Sequence, residues 1–160
     1  MNPDARIFHQ EGMSDAIVGN YDAAEFYILK SLEIEASVPG YATLGWLYSC
    51  VQRRDADALR CFRKAIRLNP RNGDLYNDCG AVLLRMGKLQ ESVKWFLRAL
   101  KSEEGSKHHL ALFNLAIVYR RWNRPERSRR YLNLAVKLRP DFERARSLLA
   151  EIRTESQTVN

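Results

Sequence analysis

Residues 72–100 read NGDLYNDCGAVLLRMGKLQESVKWFLRAL. In the first half Tyr76, Cys79, Gly80 and Leu83 fall at i, i+3, i+4 and i+7, and in the second Leu89, Val93, Phe96, Leu97 and Leu100 keep the same kind of spacing. That spacing puts the apolar residues of each half on one face of a helix. Between the halves lies Met86-Gly87-Lys88, and a glycine just past a helical run supplies the left-handed residue that lets the chain reverse within a few positions. The stretch is predicted to be an antiparallel helical hairpin. Such a hairpin cannot cover its own apolar face, so copies of it are expected elsewhere in the chain.

Copies are present. A small residue, a bulky one four later and a small one three after that recur as Ala24/Ile28/Ser31, Ala58/Phe62/Ala65, Ser92/Phe96/Ala99 and Ser128/Leu132/Ala135, spaced 34, 34 and 36 residues apart. In the first helix of each hairpin the small residue recurs as Gly12, Gly45, Gly80 and Ala116, preceded by Phe8, Tyr41, Tyr76 and Leu112. Small residues in these columns let the paired helices approach closely.

These columns resemble the tetratricopeptide repeat family, whose period is about 34 residues with two helices per repeat. The resemblance is carried by Tyr41-x-x-Leu44-Gly45-x-x-Tyr48 with Ala58, Phe62, Ala65 and Pro70, and by Gly19-Asn20-Tyr21-Asp22-Ala23-Ala24. It extends from about Ala5 to Pro140 with a half repeat beyond. The chain departs from the pattern in lacking the terminal proline of the first repeat, in carrying Glu104 where the third would have one, and in placing serine for alanine at Ser31, Ser92 and Ser128. The resemblance implies an all-α fold: a right-handed superhelical α-solenoid of about four hairpins plus a C-terminal capping helix. Repeats are expected at residues 5–37, 38–72, 73–108 and 109–140, with the capping helix at 141–155, all in one domain at 1–155, and a disordered tail at 156–160.

Within that frame, helices are expected at about 5–18 and 21–34, 41–51 and 56–68, and 109–121 and 125–137. Ser37-Val38-Pro39-Gly40 reads as a break, Asp55 as a carboxylate cap, and Ser102-Glu103-Glu104-Gly105-Ser106-Lys107 as a mobile loop that carries the extra two residues of the 36-residue interval. Pro125 suits a helix start, where its missing N–H costs nothing. The second hairpin has a turn one residue longer than the others, since Gly45 and Ala58 are 13 apart whereas Gly12 and Ala24, or Gly80 and Ser92, are 12 apart.

Composition narrows the function classes. The chain has 160 residues and a net charge of +7, but residues 1–60 hold 5 Lys/Arg against 9 Asp/Glu while the remainder holds 21 against 10. The densest basic run is Arg120, Arg121, Arg124, Arg127, Arg129 and Arg130. No segment is apolar over the roughly 18 residues of a membrane helix, the N-terminus has neither a basic start nor an apolar block, and Cys50, Cys61 and Cys79 form no Cys-x-x-Cys pair. A cytoplasmic protein without membrane insertion is expected. There is no phosphate-cradling glycine loop and no His-Glu-x-x-His. His108 and His109 are adjacent and so point about 100° apart on a helix. Neither a catalytic nor a metal site is expected, nor any cofactor.

In the family resembled, the first helix of each hairpin lines a concave groove that binds a peptide or helical segment of a protein partner. Carried onto this chain, the groove columns are Arg6, His9, Gln10 and Met13; Ala42, Thr43, Trp46 and Ser49; Asn77, Asp78, Ala81 and Arg85; and Leu110, Phe113, Asn114, Ile117 and Arg121. Trp46, Ala81, Phe113 and Ile117 form an apolar floor, Asn77 and Asn114 can bond an extended backbone, and the arginines favour an acidic or carboxylate-bearing partner. The family's chaperone-carboxylate clamp is disfavoured, because the matching columns lack its cations. Against this interaction module stand two alternatives: nucleic-acid or polyanion binding through the basic second half, disfavoured for want of a recognisable nucleic-acid fold, and a self-assembling scaffold or homo-oligomer.

Overall fold

The computed structural model describes residues 2–158, and these hold nine α-helices and no strand longer than an isolated bridge. The chain divides after Arg71 into two compact units. The first unit contains α1 (Pro3–Val18), α2 (Tyr21–Ile34), α3 (Val38–Trp46) continued by a π-helical segment (Leu47–Val51), and α4 (Asp55–Leu68). The second contains α5 (Gly73–Arg85), α6 (Leu89–Lys101), α7 (His108–Arg121), α8 (Pro125–Leu138) and α9 (Glu143–Thr158). Helices adjacent in sequence pack as hairpins, α1 with α2, α3 with α4, α5 with α6 and α7 with α8, and α9 packs on α8.

Each hairpin turns through one left-handed residue: Gly19 (φ 86°), Arg53 (φ 55°), Gly87 (φ 78°) and Asn123 (φ 54°). The following amide then reaches back to satisfy a carbonyl at the end of the first helix. In three hairpins that carbonyl lies five residues back: Asn20 N donates to Asp15 O at 2.8 Å, Lys88 N to Leu83 O at 2.9 Å, and Arg124 N to Tyr119 O at 2.9 Å. In the second hairpin Arg54 N reaches six residues back, to Tyr48 O at 2.7 Å. The residue that lengthens this turn is absorbed by the π-helical segment, within which Gln52 N donates to Leu47 O at 3.1 Å.

The repeating columns form the packing. Gly12, Gly45, Gly80 and Ala116 meet Ile28, Phe62, Phe96 and Leu132, and a Cβ placed on Gly45 or Gly80 would lie 2.6 Å from the facing phenylalanine ring. Ser31, Ser92 and Ser128 are fully buried. Their hydroxyls are satisfied by the carbonyls of Ala5 (2.6 Å), Leu89 (2.7 Å) and Ala116 (2.8 Å), so serine in the alanine column adds a bond without opening the helix pair.

Several local expectations are corrected. Residues 38–40 begin α3: Ser37 is its N-cap, accepting from Gly40 N at 3.2 Å, and Pro39 sits in the first turn. Asp55 is the first residue of α4, and Arg54 occupies the cap position without a side-chain cap bond. The 102–107 loop is pinned. Gly73 N donates to Glu104 O at 2.6 Å, and the Asp74 carboxylate accepts from Ser106 N (3.0 Å), Lys107 N (2.9 Å) and the Ser106 hydroxyl (3.3 Å). Finally, α9 runs to Thr158 rather than ending at 155, consistent with a sequence free of proline and glycine there; residues 159–160 of the expected tail lie outside the described residues.

Candidate functional site

In the first unit, α1 and α3 bring the expected groove residues His9, Met13 and Thr43 together. His9 Nε2 lies 3.2 Å from Thr43 Oγ1, and the Thr43 hydroxyl points at Met13 Sδ at 3.5 Å. Burial pushes the His9 imidazole below its ordinary pKa, partly offset by a backbone hydrogen bond at Pro39. Trp46 is 44% exposed, Ala42 is half-buried, and Arg6 and Gln10 are exposed. Ser49 is buried and stands in the π-helical segment.

In the second unit the two asparagines expected in the groove are hydrogen-bonded to one another. Asn114 Nδ2 donates to Asn77 Oδ1 at 3.1 Å, Asn77 Nδ2 lies 3.4 Å from Asp78 Oδ1, and Asn77 is only 4% exposed. Burial pushes the Asp78 carboxyl above its ordinary range, opposed by the positive charge of Lys107 and by the Asn77 amide. Arg121 donates to Leu84 O at 3.1 Å, while Arg85 is exposed and Ala81 half-buried. Phe113, expected in an open floor, is 5% exposed. The Phe142 ring packs edge-on against it at 5.2 Å, and the Arg144 guanidinium lies over it at 5.0 Å.

An open concavity lies between α7 and α9. It encloses about 750 Å³; α7 contributes Phe113, Ile117, Arg120 and Arg121, and α9 contributes Glu143, Arg144, Ser147, Leu148 and Glu151. Arg120 pairs with Glu151 at 3.0 Å. The five α9 residues were missed because that helix reads from sequence as a cap alone. The signal was present: adding one 34-residue period to Leu110, Phe113, Asn114 and Ile117 lands on Arg144, Ser147, Leu148 and Glu151. With Phe113, Ile117 and Leu148 beside charges of both signs, the cleft has a mixed apolar and charged lining.

The two histidines diverge. The His109 ring packs edge-on to Phe142 at 5.2 Å, and its Nε2 lies 3.4 Å from Arg139. Burial and that guanidinium lower its pKa. His108 Nε2 is buried without a hydrogen-bond partner among the described residues. No group of three or more metal-ligating side chains converges among those residues, and none of the described helices is long and apolar enough to cross a membrane.

Residues 73–141 match the family model of the tetratricopeptide repeat. No curated protein matches the sequence. Among solved structures, the pilF protein of Pseudomonas aeruginosa superposes with a TM-score of 0.87 at 20% identity, over 97% of this chain and 70% of that one. PilW, a type IV pilus biogenesis factor, gives 0.86 at 21% identity over 98% and 72%. MamA from Desulfovibrio magneticus RS-1 gives 0.79 at 16% identity over 98% and 88%. At these identities the likeness is one of fold, and it reaches the first two hairpins that the family model leaves unmatched.

Proposed function

We propose that this chain, whose residues 73–141 match the tetratricopeptide repeat model, is a non-catalytic protein-interaction module that seats a peptide or helical segment of a partner protein in the cleft between α7 and α9. The observation that supports this reading is the cleft itself. It has a volume of about 750 Å³, with apolar lining from Phe113, Ile117 and Leu148 and charged lining from Arg121 on α7 and from Glu143 and Arg144 on α9. A segment presenting an apolar anchor flanked by a carboxylate would bury the anchor and meet an arginine. In the first unit Trp46, with Met13 beside the His9–Thr43 contact, is proposed as a separate contact point for a protein partner. The cytoplasm as its compartment belongs to the same proposal and rests on three free cysteines.

Selection of displayed peptides on the full chain tests this reading. Enriched sequences are expected to share an apolar residue next to an acidic one, and to lose at least tenfold in affinity on Leu148→Arg while tolerating Lys137→Gln. Enriched peptides that bind Leu148→Arg and wild type equally would remove the cleft from the function.

A further inference from the structure

The outer surfaces of α6 and α8 carry a pattern that the cleft does not use. On α6 the buried row is Ser92, Phe96 and Ala99, and on α8 it is the equivalent Ser128, Leu132 and Ala135. Lys94, Arg98 and Lys101 stand two positions further along α6, hence roughly 200° round the helix from its buried row. Arg130 and Lys137 occupy the same two-position offset on α8, with Arg127 one turn earlier. All six are exposed. Acidic residues on these helices are confined to the first turns, at Glu91 and Glu126, and Glu126 is taken by Arg129 at 2.6 Å. Among the described residues no carboxylate pairs with any of the six cations.

Leucines share this surface. Leu97 is 40% exposed, Leu134 48% and Leu138 60%. Beside Leu97 and Trp95, between Lys94, Arg98 and Lys101, lies a shallow depression of about 420 Å³. A nucleic-acid backbone would neutralise the cations but gain nothing from the leucines. Stacking on bases is not offered either, because the Arg98 guanidinium already lies over the Trp95 ring at 5.8 Å and the Tyr76 ring at 5.7 Å. Cations without a carboxylate partner, interleaved with exposed leucines, match one surface in both respects: anionic headgroups at the level of the charges and acyl chains just beneath.

We propose that the outer face of α6 and α8 docks peripherally on an anionic lipid bilayer, with Lys94, Lys101 and Arg130 at the headgroups and Leu97 and Leu134 at the acyl boundary. The full chain is expected to sediment at near-physiological salt with phosphatidylcholine vesicles containing roughly a third phosphatidylserine, and not with phosphatidylcholine alone. Lys94→Gln with Lys101→Gln and Arg130→Gln should lower the partition coefficient about a hundredfold, near fivefold per cation. Leu97→Ser with Leu134→Ser should lower it about tenfold. Both variants should retain the helical circular-dichroism spectrum and melting temperature of the wild type, since every altered side chain is exposed, and Leu148→Arg should bind vesicles as the wild type does. The proposal is overturned by absence of sedimentation with anionic vesicles or by equal sedimentation with neutral ones. It is overturned equally if the leucine pair can be replaced without effect, which would assign the face to a purely electrostatic polyanion such as nucleic acid.

Discussion

Replacing Gly80 by alanine puts two opposing effects into one position. In a helix interior alanine is favoured over glycine by about 1 kcal/mol. Here the added Cβ would stand 2.6 Å from Phe96 Cε1 and 2.7 Å from Cδ1, and Phe96 is fully buried, so its ring has no free volume to enter. Overpacking of this kind costs roughly 1–3 kcal/mol, and with three ring carbons inside contact distance the upper end applies. The net expectation is a loss of about 2 kcal/mol, which in a chain of this size lowers the melting temperature by about 4–8 °C. The fourth hairpin shows the relief: where the first helix has Ala116, the facing residue is Leu132 rather than phenylalanine. Phe96→Leu alone should cost about 1–2 kcal/mol as a cavity, yet combined with Gly80→Ala it should recover most of the loss. Chemical denaturation of the four members of this cycle, followed by circular dichroism, gives the coupling directly. A coupling below about 0.5 kcal/mol, or a Gly80→Ala variant more stable than the wild type, would refute close helix approach as the reason for the glycine column.

Two further perturbations act in the second unit. Burial raises the Asp78 pKa above its unfolded value, so at pH between the two values the folded chain tends to hold a proton that the unfolded chain has released. The carboxylate therefore subtracts stability increasingly as pH rises through the interval between those two values, and subtracts none below the unfolded one. Asp78→Asn should stabilise at neutral pH, and the gain should vanish in acid below the ordinary carboxylate range; a gain that persists there would show that charge burial is not its cause. Asp74→Asn weakens the charge-assisted bonds from Ser106 N and Lys107 N, costing about 1.5 kcal/mol. Hydrogen exchange at those two amides should accelerate well beyond that of the α5 core, and unchanged protection would mean that the Gly73–Glu104 bond alone holds the loop.

The hairpins were legible because close packing leaves a periodic trace: one helix pair can touch only where a small residue faces a bulky one, and four copies write that rule four times. The π-helical segment was half legible, as a 13-residue interval among intervals of 12; counting revealed the extra residue but not that the helix would widen rather than the turn. Arg53 was not legible as a left-handed residue, since it is the register of the turn, set by the helices on either side, that imposes φ 55° on a side chain which does not favour it. The asparagine contact was not legible either, for a related reason. Column analysis places residues on a face but not at a distance, and Asn77 and Asn114 lie close enough to satisfy each other.

Phe142 covers the start of the α7 face. It belongs to no repeat column: it sits in the short connection after Pro140, where Phe142 N donates to Arg139 O at 3.1 Å and Phe142 O starts α9 by accepting from Ala145 N and Arg146 N. That placement turns its ring onto Phe113 and His109 at once. The aromatic surface on the first two turns of α7 is thereby closed, while Ile117, one turn further along, keeps Leu148 and the arginines as its neighbours around open space. A residue outside the repeat thus decides which part of a repeat face is free. Phe142→Ala should accordingly expose Phe113 and widen the cleft toward the α7 N-terminus, so peptides selected on that variant should carry a larger apolar anchor than those selected on the wild type. Identical anchors from both selections would mean that Phe142 only stabilises the hairpin and leaves recognition to α9.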